Sequence, residues 1–157
     1  MPLFTSIRSV CVVLVAAALV GCTDTTESRQ KLEVSIALSS AEVKPGESIE
    51  VTVTAVNRGT RPVVVAANPC PDPFVVTTAS DEVVGPGPQV CALIAISQEI
   101  APGDDFVFRA AWDGDAAGGQ PGGSPVFLNP GEYRVRGQVL ADYAMVESAP
   151  VPVRIAP

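Results

Sequence analysis

Three times the chain sets a Pro-Gly pair directly ahead of a stretch in which apolar and polar residues alternate. The three are Lys44-Pro45-Gly46-Glu47, Ala101-Pro102-Gly103-Asp104 and Asn129-Pro130-Gly131-Glu132. Proline presets φ at the first central position of a turn, and glycine accepts the positive φ that a type II turn needs at the second. Period-two alternation is the signature of a half-buried strand. With 15 prolines and 13 glycines in 157 residues, the chain is broken too often for long helices. No window keeps a 3.6-residue period over eleven or more positions.

The alternating segments can be read off directly. Leu32, Val34, Ile36 and Leu38 form one set, and Ile49, Val51, Val53 and Ala55 another. Phe106 and Phe108, then Tyr133, Val135 and Val139, continue the pattern, and Val151-Pro-Val153-Arg-Ile155 closes it. Pro152 cannot donate to a ladder, which predicts an edge strand there. Val63–Ala66, Phe74–Thr78 and Ala92–Ile96 are short apolar runs that fit buried strands. Asn57-Arg58-Gly59-Thr60 and Ala79-Ser80-Asp81-Glu82 are further turns. About seven to nine short strands joined by such turns predict an all-β, immunoglobulin-like antiparallel sandwich, with a small barrel as the alternative.

The first residues follow a different logic. Met1–Ser9 carry one side-chain charge, Arg8, and residues 10–20 are an unbroken apolar run. That run is too short for a bilayer, which takes about 20 residues, and suits the core of a signal peptide. Leu19-Val20-Gly21-Cys22 follows and resembles a bacterial lipobox. The resemblance implies cleavage before Cys22 and lipid attachment to its thiol. We therefore read residues 1–21 as a lipoprotein signal peptide, 22–30 as a polar tether and 31–157 as the folded domain. Nine flexible residues reach roughly 15–18 Å, which keeps the domain close to the membrane. Thr23, where an aspartate would retain a lipoprotein at the inner membrane, favours the outer membrane, facing the periplasm, in a cell with two membranes. Loss of Arg8 takes the formal charge from −7 to −8.

Composition narrows the chemistry. The chain has no histidine, which removes Ser-His-Asp triads, Cys-His dyads and imidazole acid-base work. An acidic chain with 10 basic and 17 acidic residues lacks the Lys/Arg patch that nucleic acid requires. Cys11 leaves with the signal. Beyond the cytoplasm, the remaining pair, Cys70 and Cys91, reads as a disulfide worth about 3.4 kcal/mol in the chain-entropy model. Zinc wants four ligands, and no histidine completes a set around two thiols. Asp104-Asp105 and Asp113-Gly-Asp115 are the only dense carboxylate features, and they read as solvated acidic positions. A calcium loop would need more oxygens and a terminal glutamate. The stretch from Asp113 to Ser124 is Gly-rich and predicts a mobile loop. No catalytic residue, metal or cofactor is assigned.

Several stretches share an order and spacing. They are Val43-Lys-Pro45-Gly46-Glu47-Ser-Ile-Glu-Val51-Thr-Val53, Val56-Asn57-Arg-Gly59, Ile100-Ala-Pro102-Gly103, Phe106-Val-Phe108, Trp112-Asp113-Gly114 and Pro130-Gly131-Glu-Tyr133-Arg-Val135-Arg-Gly137. From about Leu32 to Leu140 the chain thereby resembles the intracellular proteinase inhibitor (BsuPI-type) domain family. The resemblance implies an immunoglobulin-like fold and a protein partner, with protease inhibition as its specific form. Export, the cysteine pair and the Gly-rich insertion depart from that family. On the residues themselves, Trp112 can plug the gap between sheets, Asp113 and Gly114 start the next loop, and Tyr133 after Gly131 suits a tyrosine corner. The expectation is a non-catalytic, protein-binding domain held at the cell envelope by a lipid on Cys22. A structural or assembly role in the envelope is the alternative.

Overall fold

The computed structural model describes residues 31–67, 72–86, 96–116 and 126–157. Cys22, Cys70, Cys91, the signal, the tether and most of the Gly-rich stretch lie outside the described residues. Within them the chain is all β, with eleven strands: β1 (Leu32–Leu38), β2 (Glu42–Val43), β3 (Ile49–Asn57), β4 (Val63–Ala66), β5 (Phe74–Thr77), β6 (Val83–Gly85), β7 (Ser97–Ile100), β8 (Asp105–Trp112), β9 (Gly131–Ala141), β10 (Ala144–Glu147) and β11 (Val151–Ile155).

Two sheets form an immunoglobulin-like sandwich. One has the order β1-β3-β8 and is antiparallel throughout. The other is built around β9, the longest strand, which pairs in turn with β11, β5, β10 and β4. Period two explains how they face each other. Val51, Val53 and Ala55 on β3 and Val135, Val139 and Ala141 on β9 are all buried in one shared core, while Glu50 and Leu140 point away from it. The exposed face of the second sheet carries ion pairs, such as Arg136 between Asp81 and Glu147, each at 3.2 Å. Pairs this exposed contribute little to stability.

The turn chemistry holds at two of the three Pro-Gly sites. Gly46 and Gly103 have φ of 84° and 88°, and Glu47 and Asp104 donate back to Lys44 and Ala101 at 2.8 and 3.0 Å. Those are type II turns. Gly131 differs: it is the first residue of β9 and pairs with Ile155. Its backbone is held by sheet pairing with β11 rather than in a turn.

Pro152 also needs a correction. β11 is not an edge along its length, because β2 joins it in parallel at Arg154 and Ile155. The N–H groups of Arg154 and Ala156 donate toward β2, to Ala41 and Val43. The nitrogen of Pro152 shares that side, in the strand's two-residue period, but lies beyond the end of β2. Proline is tolerated because only that stretch of the strand is open.

Gly137 sets how closely the sheets approach. A Cβ there would lie 3.0 and 3.1 Å from the two methyl carbons of Val53 across the core. Gly137→Ala should cost about 1–3 kcal/mol by overpacking. Urea unfolding of Gly137→Ala, Val53→Ala and the double variant checks this. The double variant should lose less than the sum of the two single losses.

Candidate functional site

The residues singled out in the sequence gather at one end of the sandwich. Trp112 ends β8, is 4% exposed and meets Phe74 of the opposite sheet edge-on, with ring centroids 6.1 Å apart. Its Nε1–H donates to the Asp115 carbonyl at 3.0 Å. Gly114 has φ of 85° and lies against Val43 and Ile155. The Asp113 carbonyl accepts from Gly46 N–H at 3.1 Å, and its Oδ1 accepts from Asp115 N–H at 3.1 Å. Tyr133 is half-buried, and its hydroxyl donates to the Asn129 carbonyl at 3.0 Å, as a tyrosine corner requires. Gly131 packs beside that ring. These residues do packing work.

One expectation for the loop after Trp112 is corrected. Asp115 is not solvated: it is 7% exposed, and its Oδ1 accepts from Val126 N–H at 3.1 Å. The residues on either side of 117–125 are tied to one another. Asp115 bridges Phe127, and Ala116 and Leu128 donate to Val126 and Gly114 at 2.7 and 2.9 Å. The bond from Val126 ties the Asp115 carboxylate across the neck of the loop. Asp104, by contrast, is exposed at its turn as expected. No group of three or more metal-ligating side chains occurs among the described residues.

The opposite end holds a feature that the sequence reading missed. β9 and β10 are joined by a two-residue loop, Asp142-Tyr143, with φ of 45° and 64°. Two consecutive positive φ values define a type I′ hairpin, where Asn-Gly or Asp-Gly is the usual choice. Here the second position is tyrosine, a bulky residue in the left-handed region, and it is 99% exposed. The loop is fastened to β4: Asp142 N–H donates to the Val64 carbonyl at 3.0 Å, and Val64 N–H donates to Asp142 Oδ1 at 3.3 Å.

Around this tip, Val64 and Leu140 occupy the outward phase of their strands, and Ile96 is exposed just ahead of β7. Val64 is 44% exposed, Leu140 42% and Ile96 53%. With Ser97, Asp142 and Tyr143 they line a groove of about 440 Å³. Its position relative to the tether follows from the hydrogen bonds. Lys31 accepts from Arg58 N–H, the neighbouring Asn57 donates through Nδ2 to Ile100, and Ile100 pairs with Val63, next to Val64. The groove therefore lies at the end where residue 31 enters the domain. A large apolar residue at the polar phase of a strand, as at Leu140, was the available signal in the sequence.

No family model matches the chain, and no curated protein does. Solved structures give only distant likenesses. An alkylpurine DNA glycosylase of Pseudomonas fluorescens aligns over 81% of this chain at 11% identity and a TM-score of 0.47, and 31% of its own length is covered. The sporulation control protein Spo0M of Bacillus subtilis aligns over 81% at 14% identity and 0.45, with 50% of its length covered. A CARDB domain of Pyrococcus furiosus, in complex with di-metal ions, aligns over 80% at 14% identity and 0.43, with 87% covered. The chain thus spans half or less of the first two.

Proposed function

We propose that this chain is a lipid-anchored cell-envelope protein whose immunoglobulin-like domain binds another protein through the groove beside Tyr143. The observation that carries this reading is Tyr143 itself. An aromatic ring held fully in solvent, at a backbone conformation unfavourable for its side chain, is costly to keep without a contact to make. Tyrosine supplies large amphipathic area at low entropic cost, and is enriched where proteins meet. The lipobox-like Leu19–Cys22 and the short tether support the anchoring half, with the groove at the tethered end. Protease inhibition, implied by the family resemblance, is one form of such binding; an assembly role in the envelope is the alternative use of the same surface.

The hairpin gives a test in which stability and binding move oppositely. Tyr143→Gly relieves the left-handed strain and should raise stability by about 1 kcal/mol. The same change removes the ring. A photoreactive residue at position 140 of the full-length protein, irradiated in native membranes, should trap a defined protein, and Tyr143→Gly should abolish the product. Trapping of lipid alone would refute the protein-binding reading. For the inhibitory form, the full-length protein in micromolar excess should slow at least one envelope protease; a panel that runs at unchanged rates sinks it.

A further inference from the structure

We propose that the outer edge of β7 captures an extended segment of the partner protein as an added antiparallel strand, with a basic residue opposite Glu99 and a large apolar residue opposite Ser97. This rests on the protein-binding reading above and names the chemistry of its partner.

The hydrogen-bond phase of β7 shows which groups are on offer. Ala67 N–H donates to the Ile96 carbonyl at 2.9 Å, and the register continues Ala66 with Ser97, Val65 with Gln98 and Val64 with Glu99. Antiparallel pairs alternate between bonded and non-bonded. Gln98 and Ile100 therefore direct their main-chain groups at β4, and Ser97 and Glu99 direct theirs outward. Among the described residues β7 pairs with β4 alone, and Ser97, Gln98 and Glu99 are all exposed. The Gln98 side-chain amide donates to the Glu99 carbonyl at 3.0 Å, capping one lone pair of an oxygen that faces no strand among the described residues. The second lone pair stays available to an incoming N–H.

Natural edges are guarded by shortness, charge, proline or a bulge. β7, Ser-Gln-Glu-Ile, is short, but it has no proline and its register with β4 has no bulge. Its one charge is the exposed carboxylate of Glu99, on the same sheet face as Val64, its cross-strand partner. A lysine or arginine directly opposite would pair with it favourably. Ser97 is small and borders the groove, so a large apolar side chain opposite it can reach over into the space beside Leu140 and Tyr143. In an antiparallel strand these two positions read basic-x-apolar. A second copy of this chain is a poor occupant, because two β7 edges would bring Glu99 carboxylates and two acidic domains together.

The probe is a capped seven-residue peptide, Thr-Val-Lys-Val-Leu-Val-Thr, added to the full-length protein in detergent micelles. Amide exchange at Ser97 and Glu99 should slow on saturation. The peptide with glutamate for lysine, and the peptide N-methylated at its lysine and leucine amides, should bind at least about tenfold more weakly, the equivalent of one net hydrogen bond or ion pair. Ser97→Pro removes an outward N–H without touching the β4 ladder. It should keep the parent melting temperature and lose binding by a similar factor. Glu99→Lys should reverse the preference between the lysine and glutamate peptides, which keeps the test decisive if Ser97→Pro melts early. Unchanged exchange at Ser97 and Glu99, or full binding by a well-folded Ser97→Pro, overturns strand addition. So does a peptide-independent dimer that Ser97→Pro dissolves. If Ser97→Pro still traps the partner from position 140, the groove reading survives and only strand capture fails.

Discussion

Trp112→Ala is expected to be the most damaging single truncation, lowering stability by about 3–5 kcal/mol. The ring is 4% exposed and lies edge-on to Phe74, itself 1% exposed, so its removal leaves a cavity between the sheets that neither can close alone. Each sheet keeps its own ladder, and relaxation is limited to side chains. The Asp115 carbonyl also loses its indole donor at 3.0 Å. That loss loosens the neck that holds Val126 and Leu128. Trp112→Phe separates the two effects: it keeps ring contact with Phe74, gives up the hydrogen bond, and should cost less than half as much. Urea unfolding with an unchanged m-value checks both. A loss below about 1 kcal/mol for Trp112→Ala would show that the ring is no plug.

Asn57 carries the second large effect. It is the end of β3 and is 0% exposed. Nδ2 donates to the Arg61 and Ile100 carbonyls at 2.7 and 2.9 Å, and Oδ1 accepts from Gly59 N–H at 2.9 Å. One side chain thus clamps the β3–β4 turn to the end of β7. Asn57→Ala leaves these main-chain groups without their partner and should cost about 2–4 kcal/mol. Asn57→Asp is nearly isosteric yet should cost more, because a carboxylate faces two carbonyl oxygens where the amide donated. Chemical denaturation ranks the variants. Amide exchange should show β7 opening first in both, and therefore weaker peptide binding at Ser97 and Glu99. Equal stability of Asn57→Asp and the parent would contradict the donor assignment.

The two ends of the sandwich were unequally legible in the sequence. At the Trp112 end the cues were local: a tryptophan closing an alternating run, Asp-Gly behind it, and a tyrosine two residues after Gly131. Local cues of that kind announce packing, and packing is what those residues do. At the Tyr143 end no local cue was strong, because Asp142-Tyr143 lacks the glycine that marks a type I′ turn. β2, β6 and β10 are two to four residues long, too short for period two to register. β7 was hidden because Ser-Gln-Glu reads as loop; it is a strand because β4 offers it a ladder.

By itself, the sequence determined the all-β class, the faces of β1, β3, β9 and β11, two type II turns and the burial of Trp112. All of these follow from alternation and backbone stereochemistry, which act within a few residues. The tertiary structure decided the rest. It turned Gly131 from a turn residue into a strand residue and buried Asp115 against a distant N–H. It also set Pro152 beyond the reach of β2, and brought Val64, Ile96, Leu140 and Tyr143 into one groove. Each of those outcomes depends on which strand lies next to which. Strand order is fixed by long-range burial and ladder pairing, which local patterning does not encode.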